Sequence, residues 1–94
     1  MAKNNHCSLY GYAMTDPESV GGNDNVLVIQ LIVERAKQKW EKATTDKIPV
    51  YCTGPQATFA QQYIKKGKRF SVKGEIRSYG DNINVLAKQL NLMG

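Results

Sequence analysis

The chain has 94 residues, 41% of them hydrophobic, and carries a net charge of +5. This length and composition predict one small domain over residues 1–94, without the run of roughly 18 apolar residues that a membrane span needs. The N-terminus lacks the apolar segment of a signal peptide, and Cys7 and Cys52 are too few for a disulfide scaffold or a zinc site. We therefore expect a cytoplasmic protein with free thiols, no metal and no cofactor.

The first predicted element is a strand over Ser8–Met14, where alternate residues fall on opposite faces. Pro17 ends this segment, because proline fixes φ and lacks a backbone N–H. We predict a loop over Ser19–Asn25, which is rich in glycine and asparagine. Val26–Val33 is apolar and rich in β-branched residues, which indicates a buried second strand.

Residues 34–47 are polar and rich in lysine, and they fit either a short helix or a long hairpin loop. Thr44-Thr45-Asp46 favours the loop. The next segment, Ile48–Thr53, alternates as a third strand with Val50 and Cys52 on one face. Pro49 favours an edge position, or a place early in this strand.

A helix of about three turns is predicted after Gly54, because the apolar residues change to helical spacing there. Proline suits the first turn of a helix, lysines suit its negative end and glycine suits its C-terminal cap. The residues in these roles are Pro55, Lys65, Lys66 and Gly67. The apolar stripe is formed by Phe59, Ala60, Tyr63 and Ile64. We assign Phe59 and Tyr63 to the core, together with Phe70.

The segment Phe70–Arg77 alternates and predicts a fourth strand with Phe70, Val72 and Ile76 pointing inward and Gly74 at a bend. Residues 78–82 predict a tight turn, and Ile83–Leu92 the last strand. The order is therefore three strands, one helix and two strands. This order predicts an all-β fold, a five-stranded OB-fold barrel with one helix between strands 3 and 4.

Basic residues are concentrated in residues 34–77, which hold eleven Lys or Arg against four acidic residues. Residues 1–33 hold one Lys against three acidic residues. A localised positive charge attracts a polyanion, most commonly nucleic acid, although a solvated surface would have the same composition. The densest basic run, over residues 65–69, we interpret as helix capping and a solvated turn.

Three segments of the chain form a pattern in a fixed order. The first is Leu9–Glu18, in which Leu-x-Gly precedes Asp-Pro-Glu; the second is Gly54–Ala57 followed by Tyr63–Gly67; the third is Val72–Tyr79. This set resembles the bacterial single-stranded DNA-binding protein family. The resemblance implies an OB fold that binds single-stranded DNA.

The chain departs from that family in several places. The arm between the last two strands is reduced to about Gly80–Asn82, and Lys47 and Thr53 stand where the family has aromatic residues. We also expect the protein to lack the family's acidic-tipped tail. A second likeness, at Pro49–Gly54, is to the tailless primosomal replication protein B type. These likenesses imply a homo-oligomer, either a dimer or a tetramer, and Ser8–Met14 is the expected seam between copies.

Binding of a single strand requires cations along the phosphates and aromatic faces beneath the bases. Trp40 lies among lysines and either stacks on bases or anchors its loop to the core. Tyr51 is predicted on the outward face of the third strand, where a partly exposed sheet tyrosine is the alternative. Tyr12 either stacks or packs. The candidate nucleic-acid-binding residues are Tyr12, Arg35, Lys37, Lys39, Trp40, Lys42, Tyr51, Lys73, Arg77 and Tyr79.

The sequence favours sequence-tolerant binding of single-stranded DNA in replication, repair or mobile-element maintenance, in a nucleoid-associated protein. The alternative is an OB-fold protein-interaction module of a replication or primosome complex, with secondary binding of single-stranded DNA or RNA. No acid pair, activated nucleophile or phosphate-cradling glycine loop is recognisable, so we expect no enzyme. The expected partners are single-stranded DNA, RNA as a further option, other copies of the chain and replication proteins, but no membrane.

Overall fold

The computed structural model describes residues 5–34, 39–40 and 44–93, without the side chains of residues 23, 24 and 79. Six strands and one helix follow each other along the chain. They are β1 (Cys7–Ala13), β2 (Glu18–Val20), β3 (Asn23–Glu34), β4 (Thr45–Thr53), α1 (Pro55–Tyr63), β5 (Arg69–Tyr79) and β6 (Asn82–Leu92). In this part of the chain, no helix has the length and apolar character required to cross a bilayer.

The sheet closes on itself. Its strands are ordered β1-β5-β6-β4-β3-β2, and β1 also pairs with β3 through Tyr12↔Ile32 and Ala13↔Leu31. Every pairing is antiparallel except that between β4 and β6. Five strands thus form a closed barrel with one helix between its third and fourth strands, which confirms the predicted OB fold.

The predicted loop over Ser19–Asn25 is wrong. This segment contains β2 and the start of β3, which form a hairpin around Gly21 and Gly22. Both glycines have positive φ, 61° and 75°, the conformation that matches a tight turn to the twist of the flanking strands. β2 lies outside the barrel as a sixth strand along β3.

Two other predicted turns are shorter than expected. Thr45 and Asp46 belong to β4 rather than to a loop, because they pair with the end of β3. Residues 39 and 40 lie in a turn between β3 and β4, and the rest of that connection falls outside the described residues. Between β5 and β6, only Gly80 and Asp81 remain unpaired, since Tyr79 pairs with Asn82.

Gly74 lies at an irregularity of the sheet, as its predicted role at a bend requires. Lys73 pairs with Gln89 but Gly74 pairs with Ala87, so that Lys88 is an additional residue in β6. A Cβ atom on Gly74 would overlap the carbonyl oxygen of Leu86. The absence of a side chain therefore lets the two strands approach each other where the barrel curves.

α1 is present but shorter than predicted. Its nine residues make about two and a half turns, and Ile64 is already extended, with φ −101° and ψ 118°. Gly67 is not its cap, because it lies beyond the helix and donates its N–H to the carbonyl of Ala13 in β1 at 2.8 Å. Lys65 fits its predicted role better, since its Nζ donates to the carbonyl of Gln61 at 3.0 Å.

The core fills the barrel, and α1 closes one end of it with Ala57, Ala60 and Ile64. Phe70 is buried as predicted, and Phe59 packs against the core from the helix. The other buried residues of the core are Ala13, Leu27, Ile29, Leu31, Val50, Cys52, Val72, Val85, Ala87 and Leu90.

Two residues assigned to the core are exposed. Tyr63 is 52% exposed because α1 buries its alanine face, and the ring rests on the outside against Phe59 with centroids 5.0 Å apart. Ile76 is 49% exposed because it lies beside the starts of β4 and β6, whereas α1 follows the end of β4. There it borders a mostly apolar cavity of about 330 Å³ lined by Cys7, Leu9, Lys47, Ile48, Pro49, Ile76, Ile83 and Val85.

Candidate nucleic-acid interface

A groove crosses the outer face of β3, β4 and β6. Because side chains alternate along a strand, burial of Ile29 and Val50 on the inside turns their neighbours outward. The groove encloses a cavity of about 370 Å³. The residues that line this groove, called the outer groove below, are Val28, Gln30, Pro49, Tyr51, Asn82, Ile83 and Asn84.

Tyr51, a predicted binding residue, lies in the outer groove. Its backbone pairs with Val28 of β3 on one side and with Leu86 of β6 on the other. The residue is half-buried and makes at least one further polar or ring contact. A positioned ring between two strands is a suitable surface for one base to stack on.

Arg77, a second predicted residue, flanks this groove on β5. It pairs with Asn84 across the β5–β6 ladder, which places both residues on the same face. Its guanidinium forms an ion pair with the carboxylate of Glu75, two residues earlier in the same strand. The backbone of Tyr79 pairs with Asn82, and its side chain lies outside the described residues.

Lys73 lies elsewhere. It pairs with Ser8 of β1 and Gln89 of β6, beyond the bulge at Lys88. A separate cavity of about 700 Å³ is lined by Lys73 and Lys88 together with Glu75. Lys73 and Arg77 therefore share a side of β5 but line different parts of the surface.

Tyr12 does not join the outer groove either. It pairs with Arg69 of β5 and Ile32 of β3 at the point where the barrel closes. The guanidinium carbon of Arg69 lies 5.9 Å from the centroid of the Tyr12 ring, and Arg69 also approaches Glu34 at 3.8 Å. One side of this ring is therefore covered by a cation that contributes to packing as well as to charge.

Trp40 lies in the turn between β3 and β4 and is 81% exposed. The interpretation of Trp40 as a core anchor is therefore wrong. Lys39 beside it is also exposed. The other three predicted residues of this connection, Arg35, Lys37 and Lys42, lie outside the described residues.

The basic run after α1 is engaged in local structure. The backbone N–H of Lys66 donates to the carboxylate of Asp16 at 2.7 Å, and the carbonyl of Lys68 accepts from Ala13. These bonds fasten the α1–β5 connection to the end of β1. This agrees with its interpretation as a capping and solvated turn.

Sequence reasoning missed part of the outer groove. Gln30, Asn84 and Ile83 line it but were not predicted. The signal was present in Asn82-Ile83-Asn84, where an isoleucine with 66% exposure stands between two amides at the start of a strand. Only the pairing of β4 with β6 places these residues beside Tyr51.

The remaining chemistry of the described residues is limited. Over these residues, no three His, Cys, Asp or Glu side chains gather as they do around a metal ion. The two cysteines are free. Burial raises the pKa of Cys7, and a backbone hydrogen bond with Gly74 lowers it in part.

The sequence profile of the single-strand binding protein family matches residues 4–91 of the chain. The chain belongs to the single-strand binding protein family. No curated protein is similar enough to the chain to count as a match. The family match extends from before β1 to within one residue of the end of β6, so that the outer groove and the turn with Trp40 lie inside a single-strand binding domain.

Proposed function

We propose that this member of the single-strand binding family holds single-stranded DNA in the outer groove and under the β3–β4 turn, with little dependence on sequence. The observation that carries the proposal is the outward face on which Tyr51 of β4 and Arg77 of β5 lie on either side of β6. The process served is replication, repair or mobile-element maintenance.

The proposed mechanism combines two interactions. Bases stack on Tyr51 and on Trp40, each stack contributing about 1–3 kcal/mol irrespective of the base. Phosphates lie along Arg77 and Lys39, with the three basic residues of the β3–β4 connection, Arg35, Lys37 and Lys42, as further candidates. Each neutralised phosphate releases counterions and makes binding weaker as salt rises. Tyr12, Lys73 and Tyr79 are proposed as outlying contacts.

A fluorescence titration tests this proposal. The chain has one tryptophan, so quenching by oligo-dT reports on Trp40 alone. We expect strong quenching and an affinity that falls steeply with salt. Absence of binding at low salt would contradict the proposal.

Two variants test whether Trp40 and Tyr51 stack on bases. Trp40→Ala and Tyr51→Ala are each expected to weaken binding by about 1–3 kcal/mol, measured with dye-labelled oligo-dT. Trp40→Ala leaves the melting temperature unchanged because the ring is exposed. Tyr63→Ala is the matched control, since this exposed ring lies on α1 and outside the outer groove. An equal loss in all three would exclude a groove-specific role.

RNA is a further candidate ligand. Nothing among the described groove residues reads a 2′-hydroxyl in a recognisable way, and stacking tolerates both sugars. Competition of labelled oligo-dT with oligo-rU and with duplex DNA ranks the three ligands. We expect the duplex to compete least, because its bases are already stacked and paired.

A second candidate function, a protein-interaction module of a replication or primosome complex, is supported by the apolar barrel end around Ile76 and Ile83. Both side chains are substantially exposed, and exposed apolar clusters are typical of protein contacts. Purified primosome and replication proteins, tested singly by calorimetry against wild type and Ile83→Lys, provide the measurement. Binding to one of them, lost in the variant and without affinity for oligo-dT, would favour this function.

We also propose that copies associate through β1. Among the described residues, β1 pairs with β3 only at Tyr12 and Ala13, and no second strand pairs with Cys7–Gly11 on that edge. An unpaired edge readily accepts a strand from another copy. Light scattering should give a mass at a multiple of 10.5 kDa; a monomer at micromolar concentration would contradict this.

A further inference from the structure

Asn84 is the one polar residue among the buried residues of the described chain, with 4% exposure. It precedes Val85, whose side chain is in the core, so alternation turns Asn84 to the outer face. Among the described residues its amide has no hydrogen-bond partner, and no N or O atom sealed from solvent is left unsatisfied there. The amide therefore reaches the surface where Asn84 lines the outer groove.

A second amide faces the same groove from the opposite side. Gln30 of β3 pairs with Pro49 of β4, and Pro49 directly precedes the residue that pairs with Val85. Gln30, Pro49 and Asn84 thus form a row across three strands, and all three line the same cavity of about 370 Å³. The row places the pyrrolidine ring of Pro49 between two carboxamides, and Tyr51 lies two residues further along the same strand.

This arrangement differs from a stacking surface, because carboxamides have a directional pattern of one donor and one acceptor. Because the amide reaches the groove surface, water can satisfy it in the free protein, and a ligand with a complementary donor and acceptor can take the place of that water. Base edges have this pattern. In a single strand the Watson–Crick edge of each base pairs a donor with an acceptor, and adenine alone repeats this pattern on a second edge, at N6 and N7.

We propose that Asn84, with Gln30 across from it, hydrogen-bonds the edge of one bound base and gives this position a preference for adenine. The inference rests on the proposed binding of single-stranded DNA in the outer groove and refines it. Most bound bases stack irrespective of their identity, whereas one base is recognised through hydrogen bonds to its edge. The two amides are specificity-determining residues, and stacking on Tyr51 supplies the affinity that they modulate.

The test compares an oligo-dT with the same oligomer carrying adenine at every third position, which avoids the self-stacking of a pure adenine strand. We expect the wild-type protein to bind the adenine-containing strand at least about fivefold more tightly, as one bidentate base contact provides. Replacing these adenines by nebularine, which lacks the N6 amino group but stacks equally, should remove the preference.

Three isosteric variants locate the effect. Asn84→Leu should reduce the ratio of the two affinities to about one while oligo-dT binding persists. Gln30→Met should reduce it in part, and this second site keeps the test informative if Asn84→Leu folds poorly. Asn91→Leu is the control, because Asn91 is exposed on the same strand and lies outside the outer groove.

The outcomes separate the two proposals. Equal wild-type affinity for both strands, or an unchanged ratio in folded Asn84→Leu, would overturn the adenine preference and leave single-stranded DNA binding in place. Failure of the wild type to bind either strand would overturn the proposed function itself. A ratio that falls equally in Asn91→Leu would also count against Asn84 as the reading residue.

Discussion

At the scale of single residues, the two cysteines occupy different environments. Cys52 is fully buried between the strands of the barrel, and burial raises its thiol pKa to about 12. Cys7 is half-buried at the start of β1 and its pKa is raised mainly by burial as well. Since the thiolate is the reactive form, Cys52 should stay unmodified in the folded protein while Cys7 reacts slowly.

Protonated Cys52 should make stability depend on pH in the alkaline range. The folded thiol retains its proton up to about pH 12, whereas the ordinary pKa is 9.0. The contribution of this protonated thiol to the free energy of unfolding is therefore complete below pH 9. It is lost as the pH rises toward 12, because the thiol of the unfolded chain ionises first. Urea unfolding at pH 8 to 11 should show a steeper loss of stability in the wild type than in Cys52→Val. Parallel curves would contradict this, and Cys7→Ser is the control.

At the scale of elements, the barrel closes through two glycines at which strands come unusually near. Gly11 of β1 faces the carbonyl of Ile32 in β3, and Gly74 of β5 faces that of Leu86 in β6. A side chain at either position would overlap backbone atoms, which cannot move aside as the end of a flexible side chain can. The pairs β1–β3 and β5–β6 therefore depend on the absence of a Cβ.

Gly74→Ala should consequently destabilise the fold. The added methyl group must push β5 from β6 at the bulge, which we expect to lower the free energy of unfolding by about 1–3 kcal/mol or more. Ser71→Ala, three residues earlier in the same strand, is the control and should change stability little. Urea denaturation measures both. Similar midpoints for Gly74→Ala and the wild type would show that the strands tolerate the group.

At the scale of the whole molecule, positive charge occurs in regions that differ in their relation to the outer groove. Lys65 and Lys66 lie after α1, in the connection fastened to β1, whereas Arg77 flanks the outer groove. Long-range attraction for a polyanion draws on both regions, but only cations along the bound strand release counterions from its phosphates.

The salt dependence of oligo-dT binding should separate the two regions. Arg77→Gln is expected to reduce the slope of log affinity against log salt by about 0.7, the value for one phosphate contact on a single strand. The double change Lys65→Gln with Lys66→Gln should leave the slope unchanged. Glu75→Gln should tighten binding, because it releases Arg77 from its ion pair. A reduced slope in the double variant, with an unchanged slope in Arg77→Gln, would indicate instead that the bound DNA runs over α1.

The sequence by itself determined the main elements and their order. Alternation predicted the strands around Val50 and Phe70, and the change of period at Pro55 predicted the helix, because these patterns depend on local backbone geometry. From that order the OB fold followed. Tyr51 was correctly placed on the outward face for the same local reason.

Only the tertiary structure decided which residues meet. The row of Gln30, Pro49 and Asn84 exists because β3, β4 and β6 pair in one register, and their positions along the chain do not reveal it. Ile76 has the inward pattern yet is exposed, since the barrel ends beside it. Periodicity specifies the side of a strand on which a residue lies, whereas strand pairing, bulges and barrel ends specify what covers that side.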